Sequence, residues 1–330
     1  MTRRARKKKV MWDLYRDGIS YSLLSKFVAC RERFRIHAVE GMRVAGSTDH
    51  LDFGNVFHKY LELSAKGFNN FQLQQWRDKN SNDLVGHLGY RIFEVYQDTW
   101  RSQDTGISYI SSEDVFEVPV YLPSGRIVKL CGKYDEVFRK HVSNRLWLQE
   151  NKTKGQVDEY AISHTLAHNL QTMLYSFTMG THYNEHPEGV LYNVIRKPGL
   201  KQGVKESDSE FIQRVMKDID KRPEWYFYRW HVEFAPNDVM TFAKHTLFPL
   251  LEQVCLWWES IKANPFQPWT LPDGSINPHH YIRPFGIYDP FRNGKGDFFD
   301  LITRGVETGL EVCEDPFPEL EPEVLDENLN

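Results

Sequence analysis

Cysteine is scarce in this chain. There are four in 330 residues, Cys30, Cys131, Cys255 and Cys313, none close to another. That spacing excludes a disulfide-stapled scaffold and, with no C-x-x-C pair, a zinc ribbon. No apolar run approaches the roughly 18 residues that span a bilayer, and no signal-peptide pattern opens the chain, so a reducing cytoplasm and no membrane partner are expected. The H-E-x-x-H pattern of a metalloprotease and the Walker P-loop of a self-powered helicase are both missing. Surplus positive charge is missing as well, the formal net charge being −4.

The charge deficit is local. The last twenty residues, Glu311 to Asn330, hold eight Asp or Glu and no Lys or Arg, so residues 1–310 alone carry +4. At the other end Thr2 to Lys9 (TRRARKKK) packs six basic residues. The expected organisation is a basic disordered arm over residues 1–18, a folded domain over 19–305 with its catalytic core near 50–200, and an acidic disordered tail over 306–330. The arm reads either as a phosphate-contacting segment or as a solvated tail that pairs with the acidic end.

Within the folded part, Lys129 to Arg139 (KLCGKYDEVFR) and Arg145 to Thr153 (RLWLQENKT) alternate and are rich in β-branched and aromatic residues, which predicts two strands. Lys140 to Asn144 is short enough to be their hairpin turn. Strand residues two apart share a face, so Glu150 and Lys152 project together while Asn151 points away. Asp135 can face them from the neighbouring strand. Two carboxylates can hold a hard divalent cation while leaving sites for water and phosphate. Such an ion polarises a phosphoryl oxygen and acidifies bound water. A lysine beside it can orient that water or stabilise developing negative charge. The plain alternative is a surface salt-bridge ladder on a hairpin.

Glu159 to Thr181 (EYAISHTLAHNLQTMLYSFTMGT) has helical length and period. On one helix His164, His168, Gln171 and Tyr175 form a single stripe, with Leu166, Leu170, Met173, Leu174 and Phe177 as apolar surface. His164 with His168, or the adjacent His279 and His280, raise zinc as a reading. The patterns that would complete such a site are missing, and the stripe reads better as the lining of a cleft for anionic DNA.

This order of elements resembles the PD-(D/E)XK nuclease superfamily, and within it the RecB-like exonuclease group. The likeness runs from Tyr21 to Arg196. Tyr21 to Phe27, with Cys30 to Phe34, is similar to that group's opening helix, and Phe53 to His58, with Glu62 a turn later, to its histidine motif. Gly132-Lys133-Tyr134-Asp135 stands where the group has its metal-binding aspartate, Glu150 and Lys152 match the E-x-K pair, and Gln171 with Tyr175 matches Q-x-x-x-Y. No proline precedes Asp135, which the group's G-x-x-D form tolerates. The resemblance implies an α/β, restriction-endonuclease-like mixed sheet flanked by helices, with helical additions at both ends. It implies a Mg²⁺- or Mn²⁺-dependent DNA exonuclease leaving 5′-phosphate ends, acting in recombination, repair or phage DNA processing in a bacterial or phage-infected cell. His58, Asp135, Glu150 and the backbone carbonyl of Asn151 become the metal ligands. Imidazole suits Mn²⁺ better than Mg²⁺. Lys152 activates or orients water, while Gln171 and Tyr175 position DNA or support the lysine and the metal. DNA, double-stranded with free ends or single-stranded, is the implied partner, with Lys154, His168, Lys197 and Lys201 as candidate contacts. A helicase or a recombination or annealing protein is the implied protein partner, and a ring-shaped homo-oligomer is known among related phage exonucleases. Some relatives carry a four-cysteine iron–sulfur cluster with three closely spaced cysteines near the C-terminus. Cys255 and Cys313 are far apart and Cys131 lies inside the catalytic strand, so no cluster is expected. Asn264 to Phe291 reads instead as a packed irregular loop.

Further elements follow from pattern: a helix over Ser81 to Trp100, a strand over Asp114 to Tyr121 bearing Glu117, and a strand over Gly189 to Arg196. The lysine loop Lys197 to Lys205 comes next, then a helix over Ser207 to Lys221. Trp225 to Phe234 (WYFYRWHVEF) reads as an aromatic strand buried in the sheet, and Asn237 to Ala263 as a helix kinked at Pro249. Three rival functions stay open: a catalytically inactive DNA-binding subunit, an endonuclease, and an RNA- or nucleotide-directed phosphodiesterase using the same residues.

Overall fold

The computed structural model describes residues 9–45, 53–235, 237–266, 298, 300–301, 306–315, 317 and 320. The basic residues before Lys9, His279 with His280, most of the loop expected at 264–291 and the acidic residues beyond 320 lie outside them. The chain runs α1 (Leu14–Asp17), β1 (Ile19–Ser20), α2 (Tyr21–Ala29), α3 (Arg31–Phe34), a π-helical turn (Arg35–Val39), β2 (Met42–Val44), α4 (Phe53–Ala65), α5 (Asn70–Asn80), α6 (Leu84–Asp104), β3 (Ile107–Tyr121), β4 (Ile127–Lys140) and β5 (Leu146–Lys154). It continues through α7 (Glu159–Thr165), a 3-10 turn (Leu166–His168), α8 (Leu170–His182), β6 (Gly189–Arg196), α9 (Asp208–Lys221), a 3-10 turn (Pro223–Trp225), β7 (Phe227–Glu233), α10 (Asp238–Phe242), a π-helical turn (Ala243–Leu247), α11 (Phe248–Ile261) and β8 (Leu310–Val312).

Two compact units share these elements: Met1–Ser47, Glu117–Gly132 and Phe242–Glu321 form one, and Thr48–Phe116, Lys133–Thr241 and Pro322–Asn330 the other. In the first, β1 pairs parallel with the start of β4, and β2 pairs antiparallel with β8. Its core is aromatic: Trp12, Phe27, Phe34, Trp257 and Trp258 meet mostly edge to face, the arrangement ring quadrupoles favour. Buried Arg35 is held by Glu32 and Glu40 and by the Pro265 carbonyl. Gly18 turns the chain into β1 at φ +80°, and a Cβ there would meet the Lys129 carbonyl at 2.5 Å, so only glycine fits.

The second unit holds the predicted hairpin. β4 and β5 pair antiparallel, with Glu136 opposite Gln149 and Arg139 opposite Leu146. β5 and β6 pair parallel, from Trp147 with Gly189 to Lys154 with Arg196. A parallel pair needs a long crossover, and α7 and α8 supply it. β7 closes the edge antiparallel to β6, and β3 lies on β4. Apolar faces of α4, α5, α6 and α9 pack with Ile195 and Phe227 into one cluster.

Several expectations change. The segment 159–181 is two helices, because Asn169 is extended (φ −65°, ψ 131°) and its side chain caps the next helix by accepting from the Gln171 and Thr172 amides. His164 and His168 therefore do not share a helical stripe with Gln171 and Tyr175. The opening helix is likewise broken at Cys30, whose backbone is extended and whose Sγ accepts from the Arg33 amide. The basic arm does not reach residue 18, since Met11, Trp12 and Leu14 are buried. The acidic tail does not begin at 306, since Leu310–Val312 is a strand on β2. β3 starts at Ile107 rather than 114 and passes through Glu113 at φ 54°. The long helix expected over Asn237 to Ala263 is present: α10, the π-helical turn and α11 run on with helical backbone through Leu247 and Phe248, so Pro249 lies inside it, directly after the π-helical turn.

Candidate active site

β5 delivers the centre of the site. Lys152 Nζ donates to Glu150 Oε1, so the two side chains share a face as period two requires. Gln171, in the first turn of α8, donates from Nε2 to the same oxygen at 2.5 Å. Glu150 is 1% exposed, and its other oxygen, Oε2, is buried without a hydrogen-bond partner among the described residues. Asp135 approaches from β4, its Oδ2 accepting from the Asn151 backbone amide at 2.7 Å.

Electrostatics follow from this packing. Burial pushes the Glu150 carboxyl up to about 7 against the pull of Lys152, and the Asp135 charge adds to the rise. Burial alone would lower the Lys152 amine, but Glu150 and Asp135 outweigh it and hold it above the ordinary lysine range. The Tyr175 phenol, buried near Glu150 and Asp135 and beside the Gln171 side chain, is driven well above its usual value.

Behind β5 lies a polar layer that the sequence did not flag. The Asn151 side chain, on the reverse face, donates to Glu136, while its Oδ1 accepts from Gln149 at 3.0 Å and from Asn193 at 2.8 Å. Burial drives the Glu136 carboxyl well above the carboxylate range, with Asp135 reinforcing the shift. Glu113, ion-paired with Lys133, is also shifted upward by burial. The position of Glu136 next to Asp135 was the available signal. Its burial was not readable without the pairing of β4 with β5.

The other predicted residues are dispersed. His58 is half-buried on α4, which packs against β5. Glu62 is buried between Lys59 at 2.8 Å and Lys66 at 2.5 Å. Glu117 pairs instead with Lys129. His168 and Lys201 are exposed, whereas Lys154 and Lys197 are half-buried and joined through the Lys197 amide and the Lys154 carbonyl at 2.8 Å.

A sequence model of the PD-(D/E)XK nuclease superfamily matches residues 18–267, three quarters of the chain. The chain belongs to that superfamily. The mixed sheet flanked by helices is the α/β, restriction-endonuclease-like fold of PD-(D/E)XK nucleases. Membership carries the class of a metal-dependent nuclease acting on nucleic acid. No curated protein matches the chain. Among the described residues no helix is long and apolar enough to cross a membrane.

PD-(D/E)XK nucleases typically use divalent metals such as Mg²⁺, and the donors here suit one. Among the described residues no three His, Cys, Asp or Glu side chains form a closed cage. Mg²⁺ does not need one: it is usually held by one or two carboxylates together with waters and substrate phosphate. The unpartnered Glu150 Oε2 beside Asp135 is such a donor set, since a buried carboxylate oxygen without a partner is costly.

Proposed function

We propose that the chain is a metal-dependent DNA exonuclease of the RecB-like type, working in recombination, repair or phage DNA processing. The observation that carries the reading is the Glu150 carboxylate, one oxygen fixed by Lys152 and Gln171 and the other buried with no partner among the described residues. The exonuclease assignment is supported by the order of motifs from the opening helix through Q-x-x-x-Y.

In this reading Asp135, Glu150 and the Asn151 carbonyl hold Mg²⁺ or Mn²⁺, with His58 as a further ligand. The ion supplies Lewis-acid polarisation of the phosphate and acidification of water. Lys152, kept protonated by its two acidic neighbours, orients the attacking water and offsets charge that builds on the phosphoryl oxygens. Gln171 keeps Glu150 in place, and Tyr175, protonated, donates toward the substrate or the lysine. Lys154, His168, Lys197 and Lys201 contact the DNA backbone. Hydrolysis leaves a 5′-phosphate.

The test compares wild type with Lys152→Ala on end-labelled linear and covalently closed circular DNA, with Mg²⁺, Mn²⁺ or EDTA. Metal-dependent loss of linear DNA alone, abolished in the variant, is expected. Equal cutting of circles would make the protein an endonuclease, and DNA binding without cleavage would make it a non-catalytic subunit.

A further inference from the structure

The sheet face that carries Glu150 and Lys152 continues past them. In the parallel register of β5 and β6, Glu150 lies beside Tyr192, Lys152 beside Val194 and Lys154 beside Arg196. On β7, Trp230 is opposite Tyr192 and Tyr228 opposite Val194. Period two puts all of these on one face. Its middle is covered: Leu166, with Ile162 and Val157, packs on Tyr192, Val194 and Tyr228.

The end of the face is different. The Arg196 guanidinium sits 3.7 Å from the ring centroid of Trp225 and donates from Nη2 to the Tyr228 hydroxyl at 2.9 Å. Its buried Nε has no partner among the described residues. The sequence pattern placed Trp225 at the start of a buried strand, but it lies in the turn before β7 and is 43% exposed. Arg222 also approaches that ring, at 5.5 Å. The nearby acid, Asp218, is already engaged by Arg222 at 2.7 Å and by the Tyr226 hydroxyl. Core packing does not call for an exposed indole held against a guanidinium. A nucleic-acid strand does, because every base has a π-face and every nucleotide a phosphate. Lys154 lies two residues beyond Lys152, about 6.6 Å along the strand, so this end of the face adjoins the candidate site for the scissile phosphate.

We infer that Trp225, Arg196 and Lys154 form a subsite for an unpaired nucleotide next to the cleaved bond, the base stacking on Trp225 and its phosphate meeting Arg196 and Lys154. The inference rests on the nuclease reading of Glu150 and Lys152 and adds that the substrate end is engaged as single strand. Single-strand engagement gives the enzyme a way to hold a frayed end without reading its sequence.

The experiment measures binding of a short fluorescein-labelled oligothymidylate, and of a blunt duplex, to the full chain in EDTA by anisotropy. Trp225→Ala should weaken oligothymidylate binding about 5- to 150-fold, the range of a lost base stack. Trp225→Phe should restore most of the affinity, and the duplex should be affected far less. Arg196→Met should lower the slope of log Kd against log salt by roughly 0.7, one single-strand phosphate contact. In turnover, Trp225→Ala should raise KM and leave kcat unchanged. Unchanged oligothymidylate affinity in a Trp225→Ala protein with wild-type circular dichroism overturns the subsite, as does equal loss on both substrates. Because binding is read in EDTA, a wild type that cleaves nothing yet loses affinity with Trp225→Ala would remove the nuclease reading and keep the strand-binding subsite.

Discussion

The backbone amide of Asn151 donates to Asp135 Oδ2 at 2.7 Å while its side chain donates to Glu136 on the other face of the sheet. One residue thus ties the candidate metal-binding aspartate to a buried layer behind it. Ligand orientation from such a layer is what keeps a weakly held ion in place.

Metal binding can be read without activity. Mn²⁺ at concentrations well above its Kd should raise the Tm of the wild-type protein, since a ligand of the folded state stabilises it. Asp135→Asn and Glu150→Gln should fold and show no such rise. A full Mn²⁺ shift in both would remove these two side chains from the ligand set.

Gln171 donates to Glu150 Oε1, and its proposed role is to hold that carboxylate. Gln171→Ala should lower cleavage about 10- to 100-fold, the usual cost of losing a group that orients a metal ligand, with little change in KM for DNA. A KM rise at constant kcat would instead make Gln171 a DNA contact.

Glu136 is predicted to be structural and neutral. Glu136→Gln keeps an acceptor for the Asn151 amide and should cost less than about 1 kcal/mol in urea unfolding. Glu136→Ala leaves that buried amide without its partner and should cost about 1–3 kcal/mol. Equal destabilisation by both would show that the charge of Glu136 matters.

His37 sets a pH dependence of stability. Burial, then the positive charges of Lys26, Arg43 and Arg33, lower its imidazole to about 2, whereas the unfolded chain titrates near 6.5. The unfolded state therefore binds a proton that the folded state refuses as pH falls below about 6.5, and stability drops through that window. His37→Gln should remove about one proton from the slope of stability against pH between 6.5 and 4, measured by denaturant unfolding across pH. An unchanged slope would show that His37 is protonated in the folded protein.

The local signals were good for the strands and poor for the helical joints. The hairpin of β4 and β5 and the strand β6 appear where runs of β-branched and aromatic residues placed them, although β6 and the first two thirds of β5 are buried on both faces. The helix break at Asn169 did not show, since an apolar period continues across it and only the cap reveals the restart. Trp225 was misplaced for the opposite reason: an aromatic run reads as core whether or not the fold covers its first member.

Alternation along β5 alone determined that Glu150 and Lys152 stand together and that Asn151 faces away, because side-chain direction on a strand is a property of the backbone. The spacing of Gln171 and Tyr175 on one helix was equally local. The tertiary structure decided the rest: that Gln171 reaches Glu150, that Asp135 is held by the Asn151 amide, and that Glu136 is buried against the Asn151 side chain. It also decided that Arg196, beside Lys154 on that face, lies against the ring of Trp225. Those outcomes depend on strand register and burial between segments far apart in the chain, which no local pattern encodes.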